Sequence, residues 1–198
     1  MSAIIGICST QFCLLVADRR LVSIQNASTV VANDDTDKIF KINNDLIYGA
    51  TGVFVDGEDF LEPLKCFSSF ENITLDMALN AIKDYTICNF QMIDSCNARN
   101  YILGGKQDSK YYMCIIHYNG KIKKFEFESY CSSGDTIKYQ LILPPNAVPF
   151  ENQLRAEMSD MFDKAKTIEA LIIESGKLIT KIATIDDSVG NTMNYVIV

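Results

Sequence analysis

Few groups in this chain could do covalent chemistry at neutral pH, and the first of them is its second residue. Ser2 follows Met1, and methionine is commonly trimmed before a small residue. Trimming would leave a hydroxyl beside a free α-amine. That amine titrates at about 7.7–8.0, so it can serve as general base toward its own side-chain oxygen. Such a device needs no imidazole, which matters because the chain has one histidine, His117. It lies in the strand-like run Tyr111-Tyr112-Met113-Cys114-Ile115-Ile116-His117-Tyr118, with no second metal ligand at useful spacing. A Ser-His-Asp triad would have to use that one ring. His117 is therefore read as structural, and a hydrolase made of this chain would take its base from elsewhere.

Two charged positions come next. Asp18 ends the apolar run Leu14-Leu15-Val16-Ala17 and precedes Arg19-Arg20; on residue type alone it is a strand-end carboxylate beside an ion-pair partner. Lys38 follows Asp34, Asp35 and Asp37, and in isolation it reads as a solvated charge. The seven cysteines (Cys8, Cys13, Cys66, Cys88, Cys96, Cys114, Cys131) include no C-x-x-C pair. Most sit in apolar stretches, where Cys behaves as a small hydrophobe, so they are read as reduced core or surface thiols. No metal and no cofactor is expected.

The elements that must position these groups begin with β structure. Ala3 to Cys8 and Phe12 to Ala17 are apolar, β-branched runs separated by Ser9-Thr10-Gln11, the pattern of a hairpin buried on both faces. Turn-like stretches at Asn26-Ala27-Ser28 and Asn33-Asp34-Asp35 lead to strands at 38–42 and 46–50, separated by Asn43-Asn44-Asp45. Apolar residues then recur every three or four positions over Val55–Phe70 and from Leu75 to about Met92, predicting two helices, the second capped by Thr74. Strands resume at 101–104, 111–118 and 122–127, with Asn119-Gly120 a strong hairpin signal. Residues 141–150 hold three of the four prolines and predict an irregular loop. Helices over 153–162 and 167–182 and a strand over 193–198 complete the chain. Strands, a helix pair, strands, a helix pair and a strand make an α+β order, which a four-layer αββα sandwich accommodates.

Composition sets the outer bounds. The 198 residues are 48% apolar and 22% charged, and no repeat, low-complexity stretch or linker divides them, so residues 1–198 are read as a single domain. Eighteen Lys and Arg against 25 Asp and Glu leave a net charge of −7, which would repel nucleic acid and an anionic membrane surface. No apolar run reaches the ~20 residues of a membrane span, and the N-terminus lacks the basic region of a signal peptide. A soluble, cytoplasmic protein is the expectation.

The combination is more specific than its parts. Four ordered segments stand out: Ser2-Ala3-Ile4-Ile5-Gly6-Ile7; Leu14-Leu15-Val16-Ala17-Asp18-Arg19-Arg20; Asp37-Lys38-Ile39-Phe40-Lys41-Ile42; and Ile47-Tyr48-Gly49-Ala50-Thr51-Gly52 followed by Asp56. Together they resemble the N-terminal half of proteasome β-type subunits, above all the bacterial and phage-encoded proteasome-like members of the N-terminal-nucleophile hydrolases. The likeness covers about residues 2–65 and returns at Ser132-Ser133-Gly134 and at Asp186-Asp187-Ser188-Val189-Gly190-Asn191. It implies that Ser2, freed of Met1, is the nucleophile, where Thr is usual in the family. It implies that Asp18 and Lys38 are the charged pair that tunes the nucleophile, that a Gly52 N–H faces the oxyanion, and that Ser133 and Asp186 complete the site near the terminal amine. This chain departs from the pattern in three ways: residues are inserted between Asp18 and Lys38, Ser188 stands one position from the usual serine, and Asn191 replaces a glycine.

The resemblance implies hydrolysis of amide bonds, most simply in peptides or proteins, by a homo-oligomeric ring that an unfoldase could serve. The alternative is a proteasome-like subunit that keeps Met1 and acts as a structural or assembly component. A third reading, an unrelated α+β binding domain, would require a fold without two stacked sheets.

Overall fold

A computed structural model of the chain describes residues 2–25, 28–52, 59–89, 99–119, 124–131 and 137–198. Met1, Asp56, Cys96, Gly120 and Ser133, all named above, lie outside the described residues. The elements are β1 (Ile4–Cys8), β2 (Cys13–Asp18), β3 (Leu21–Gln25), β4 (Ser28–Asn33), β5 (Ile39–Lys41), β6 (Leu46–Gly52), α1 (Leu75–Cys88), β7 (Arg99–Gln107), β8 (Lys110–Asn119), β9 (Lys124–Cys131), β10 (Lys138–Ile142), α2 (Glu151–Lys164), α3 (Ile168–Ile185) and β11 (Met193–Ile197). They form a four-stranded sheet in the order β10-β1-β2-β11, a two-stranded sheet β3-β4, and a five-stranded sheet β5-β6-β7-β8-β9. Every residue of β1 and β2 is buried, as their unbroken apolar runs require.

The chain forms two compact units. One comprises Met1–Ile5, Val16–Lys38 and Leu141–Tyr195. Within it, α2 and α3 pack on one another. Apolar spacing of four puts Leu154, Met158 and Phe162 on the buried stripe of α2, and Leu171, Ser175, Leu178, Ile179 and Ile182 are buried on α3. Thr167 starts α3 as its N-cap, its Oγ1 accepting the Ala170 N–H at 3.1 Å. Thr167→Ala should cost about 1 kcal/mol and lower the melting temperature by roughly 2–4 °C in calorimetry.

The other unit comprises Gly6–Leu15, Ile39–Gln140 and Val196–Val198. Its antiparallel sheet runs in unbroken register through Tyr48↔Leu103 and Leu103↔Cys114. Leu46, Tyr48, Ala50, Tyr101, Leu103 and Ile116 meet Ala78 and Ile82 of α1 in one core. Thr74 caps α1 as expected, accepting the Met77 N–H at 3.3 Å. His117 stands opposite Glu126 across β8 and β9, Nε2 to Oε2 2.7 Å. Cys8 and Cys13 are buried with their sulfurs 3.5 Å apart, and that contact together with burial pushes the Cys13 thiol far above its ordinary pKa. Cys114 is buried too, whereas Cys66, Cys88 and Cys131 are exposed.

Three elements differ from the sequence reading, the last of them β10 (Lys138–Ile142), a strand where none was predicted. The helix predicted over 55–70 is not formed in its described part, where Glu62–Leu64 makes a single 3₁₀ turn. Pro63 lacks the N–H that an α-helix would need there, and three-residue bonds such as Phe67 N–H to the Leu64 carbonyl take over. The recurring Phe60, Leu61, Phe67 and Phe70 still pack against the core, so their spacing reflects burial and not helix. The second difference is the hairpin β3–β4, which pairs Val22 with Val31 and Ile24 with Thr29 where turns alone were expected. Val30 and Val31 are exposed, so this hairpin lacks the core-facing alternation that announces a strand.

Candidate active site

The geometry around Asp18 lies in the first unit. Strand β2 ends on Asp18, which is completely buried. Placing a carboxylate there is costly unless its oxygens are satisfied. Four donors do so. The Ala3 N–H reaches Oδ1 at 2.9 Å; the Arg20 N–H at 3.0 Å, the Gly190 N–H at 3.2 Å and Lys38 Nζ at 2.8 Å converge on Oδ2. Three are backbone groups, so the carboxylate's orientation is set by main chain from three separate segments. The Ala3 bond also places Ser2, itself buried, one residue from that carboxylate.

Lys38 is as buried as its partner, at 1% exposure, and the solvated-charge reading of its type in isolation fails for that reason. It follows Asp37 at the foot of the β3–β4 hairpin, and its ammonium donates both to Asp18 and to the Arg20 carbonyl. Burial pulls its pKa below the ordinary lysine value, while the adjacent carboxylate opposes that fall. The pair is a charge-assisted hydrogen bond in a dry setting, joined by the Arg20 carbonyl on the ammonium and by three backbone N–H groups on the carboxylate.

The segments that supply that backbone are themselves tied down. Arg20 Nε sits 2.6 Å from Asp34 Oδ1, and Nη1 donates to the Asp187 carbonyl at 3.1 Å. Arg19 bridges Asp35 at 2.5 Å and Asp37 at 3.2 Å. The Thr36 N–H closes on the Arg19 carbonyl at 2.9 Å. Asp34, Asp35 and Asp37 thus close the foot of the hairpin against the residues that follow Asp18.

Asp186 follows the end of α3, its own N–H bonded to the Ile182 carbonyl. Its Oδ1 accepts the Ser188 N–H at 2.9 Å and its Oδ2 the Asn146 N–H at 3.3 Å. The Val189 N–H returns to the Asp186 carbonyl at 3.0 Å. This tight turn leads directly to Gly190 and its bond to Asp18. Ser188 Oγ is buried and has no hydrogen-bond partner among the described residues.

The structure therefore brings Asp18 and Lys38 into direct contact, puts Ser2 next in chain to a residue bonded to Asp18, and connects Asp186 to the same carboxylate through four further residues. Gly52 ends β6 in the second unit, at a φ of 132° that favours glycine. Ser133 falls outside the described residues. Sequence reasoning missed the Arg20 backbone and the Gly190 N–H. Residue type says nothing of main-chain donors, and the only available signal was Gly190's place in the Asp186-to-Asn191 segment. Among the described residues no group of three His, Cys, Asp or Glu side chains could hold a metal ion, and no helix is long and apolar enough to cross a membrane.

Comparison with known proteins supplies the fold's relatives. The crystal structure of eukaryotic HslV from Trypanosoma brucei superposes with a TM-score of 0.56 at 14% sequence identity, covering 98% of this chain and 98% of that one. The likeness shows the fold, an α+β sandwich of the N-terminal-nucleophile hydrolase type; the order of elements predicts the α+β sandwich, and the resemblance of the four segments implies its type. No curated protein matches the sequence. The family model for proteasome subunits matches residues 2–141, more than half of the chain and all of the segments that carry Ser2, Asp18 and Lys38. The chain belongs to the proteasome subunit family.

Proposed function

We propose that the protein is a proteasome-like peptidase that hydrolyses amide bonds with Ser2 once Met1 has been removed. The observation that carries this reading is the buried Asp18–Lys38 pair, bonded through the Ala3 N–H to the residue that follows Ser2. An ammonium held beside the nucleophile favours an alkoxide and keeps a neighbouring α-amine neutral, and Asp18 holds that ammonium charged.

The steps balance without any imidazole. The Ser2 α-amine accepts the proton of Oγ as Oγ attacks the substrate carbonyl, and the tetrahedral oxyanion takes a hydrogen bond from a backbone N–H, the part that the resemblance gives to Gly52. Collapse expels the substrate's amine, which receives the proton from the α-ammonium and leaves an ester on Ser2. Water, deprotonated by the same amine, cleaves that ester and restores the hydroxyl. Asp186 and the buried Ser188 hydroxyl are assigned to the surroundings of the terminal amine. Substrates are peptides or unfolded proteins, and family membership favours a homo-oligomeric ring in the cytoplasm, served by an unfoldase.

Intact mass spectrometry before and after incubation with a peptide epoxyketone tests the reading, since that warhead needs a hydroxyl and a free amine on one residue. The expected spectrum lacks the mass of Met1 and gains one inhibitor. Retained Met1 with no adduct would instead support a structural or assembly subunit, in which Asp18 and Lys38 serve the fold alone.

A further inference from the structure

We propose that Gly190 is a positioning residue for the Asp18–Lys38 pair: its missing Cβ lets the segment after α3 lie against Arg20 and hand a third backbone N–H to Asp18. A Cβ built at Gly190 would stand 2.8 Å from Arg20 Cβ, 3.3 Å from Arg20 N and 3.6 Å from Arg20 Cα. The first distance is one that side chains essentially never tolerate, and Arg20 Cβ is not the loose end of a flexible chain.

Arg20 cannot step aside. Its N–H is committed to Asp18 and its carbonyl to Lys38. Its guanidinium is held by Asp34 and by the Asp187 carbonyl. The Asp187 bond comes from the same segment as Gly190, so that segment is fastened to Arg20 at its side chain and seated on it at its backbone. Any residue larger than glycine at position 190 must therefore lift off, and its N–H leaves Asp18 Oδ2, which then keeps only Arg20 and Lys38. A carboxylate that loses one of its fixed donors turns, and the ammonium bonded to the same oxygen moves with it. The role in catalysis rests on Ser2 being the nucleophile; the role in holding Asp18 does not.

The test uses the full chain as wild type, Gly190→Ala, Arg20→Gly and the double variant. Two readouts separate the claims: backbone amide exchange at Arg20 by mass spectrometry, and the split of epoxyketone inactivation into its maximal rate and its half-saturating concentration. Gly190→Ala should speed exchange at Arg20 by about tenfold or more and slow maximal inactivation by about 10- to 100-fold, with half-saturation within about twofold. On the Arg20→Gly background, where the opposing Cβ is gone, the same substitution should change either readout by no more than about threefold. Equal effects of Gly190→Ala on both backgrounds, or unchanged exchange at Arg20, would overturn the proposal. If Gly190→Ala does not fold, recovery of a folded, slowly exchanging protein in the double variant supports the contact, and failure to recover refutes it. A wild type that forms no adduct removes Ser2 from the chemistry, while exchange at Arg20 still decides whether Gly190 holds Asp18 in place.

Discussion

Ser2→Ala is expected to fold like the parent and to lose inhibitor labelling and peptide cleavage by about 10⁴-fold or more, the scale seen when a nucleophile that works as part of a unit is removed. None of the four donors to Asp18 is the Ser2 hydroxyl, so truncation at Cβ leaves the pair intact. One oxygen lost from a buried position should change stability by no more than about 1 kcal/mol. Melting curves of the two proteins should nearly coincide while labelling rates part by orders of magnitude. Ser2→Cys sharpens the test, because a thiol beside the same amine is intrinsically nucleophilic and should still take up a peptide vinyl sulfone. An alanine variant that labels as fast as the parent would place the reacting group elsewhere.

Lys38→Met should do the reverse, lowering stability as well as activity. Methionine fills much of the lysine's volume but leaves the Asp18 carboxylate buried with backbone N–H groups alone, and breaking one side of a buried pair costs about 3–5 kcal/mol. For a chain of this length that is a fall of roughly 6–20 °C in melting temperature. The Arg20 carbonyl loses its donor in the same stroke. Asp18→Asn combined with Lys38→Met removes both charges while the Asn oxygen can still accept the Arg20 and Gly190 N–H groups, leaving only Ala3 N–H without an acceptor, so the double variant should be more stable than Lys38→Met alone. Denaturant or thermal unfolding of the four proteins gives the cycle directly. A Lys38→Met protein as stable as wild type would mean that Asp18 is not carrying a charge that needs its partner.

The contrast between these residues and Gly190 explains what was legible beforehand. By type alone Asp18 reads as a strand-end carboxylate and Lys38 as a solvated charge; it is the resemblance of the four ordered segments to proteasome β-type subunits that pairs them. Ser2 is visible because its chemistry depends on its place in the chain. The paired helices at the C-terminal end, and with them the α+β class, could be read from apolar spacing on α2 and α3. Arg20 and Gly190 act through a carbonyl, two N–H groups and an absent Cβ, which no side-chain pattern encodes. The β3–β4 hairpin carries no core-facing alternation to announce it, since Val30 and Val31 are both exposed. The apolar spacing near residue 60 reports burial and not a helix, because Pro63 interrupts the helical hydrogen bonds there.

The hairpin's ionic foot has one more consequence. Arg19 and Arg20 on one side and Asp34, Asp35 and Asp37 on the other close the chain between Asp18 and Lys38 into a loop whose ends are pinned. Once ends are fixed, the entropy lost on closing a loop grows only with the logarithm of its length, about 0.6 kcal/mol for each doubling. The distance along the sequence between the carboxylate and the ammonium is thereby uncoupled from their distance in space, and this part of the chain is free to lengthen without disturbing the pair it separates.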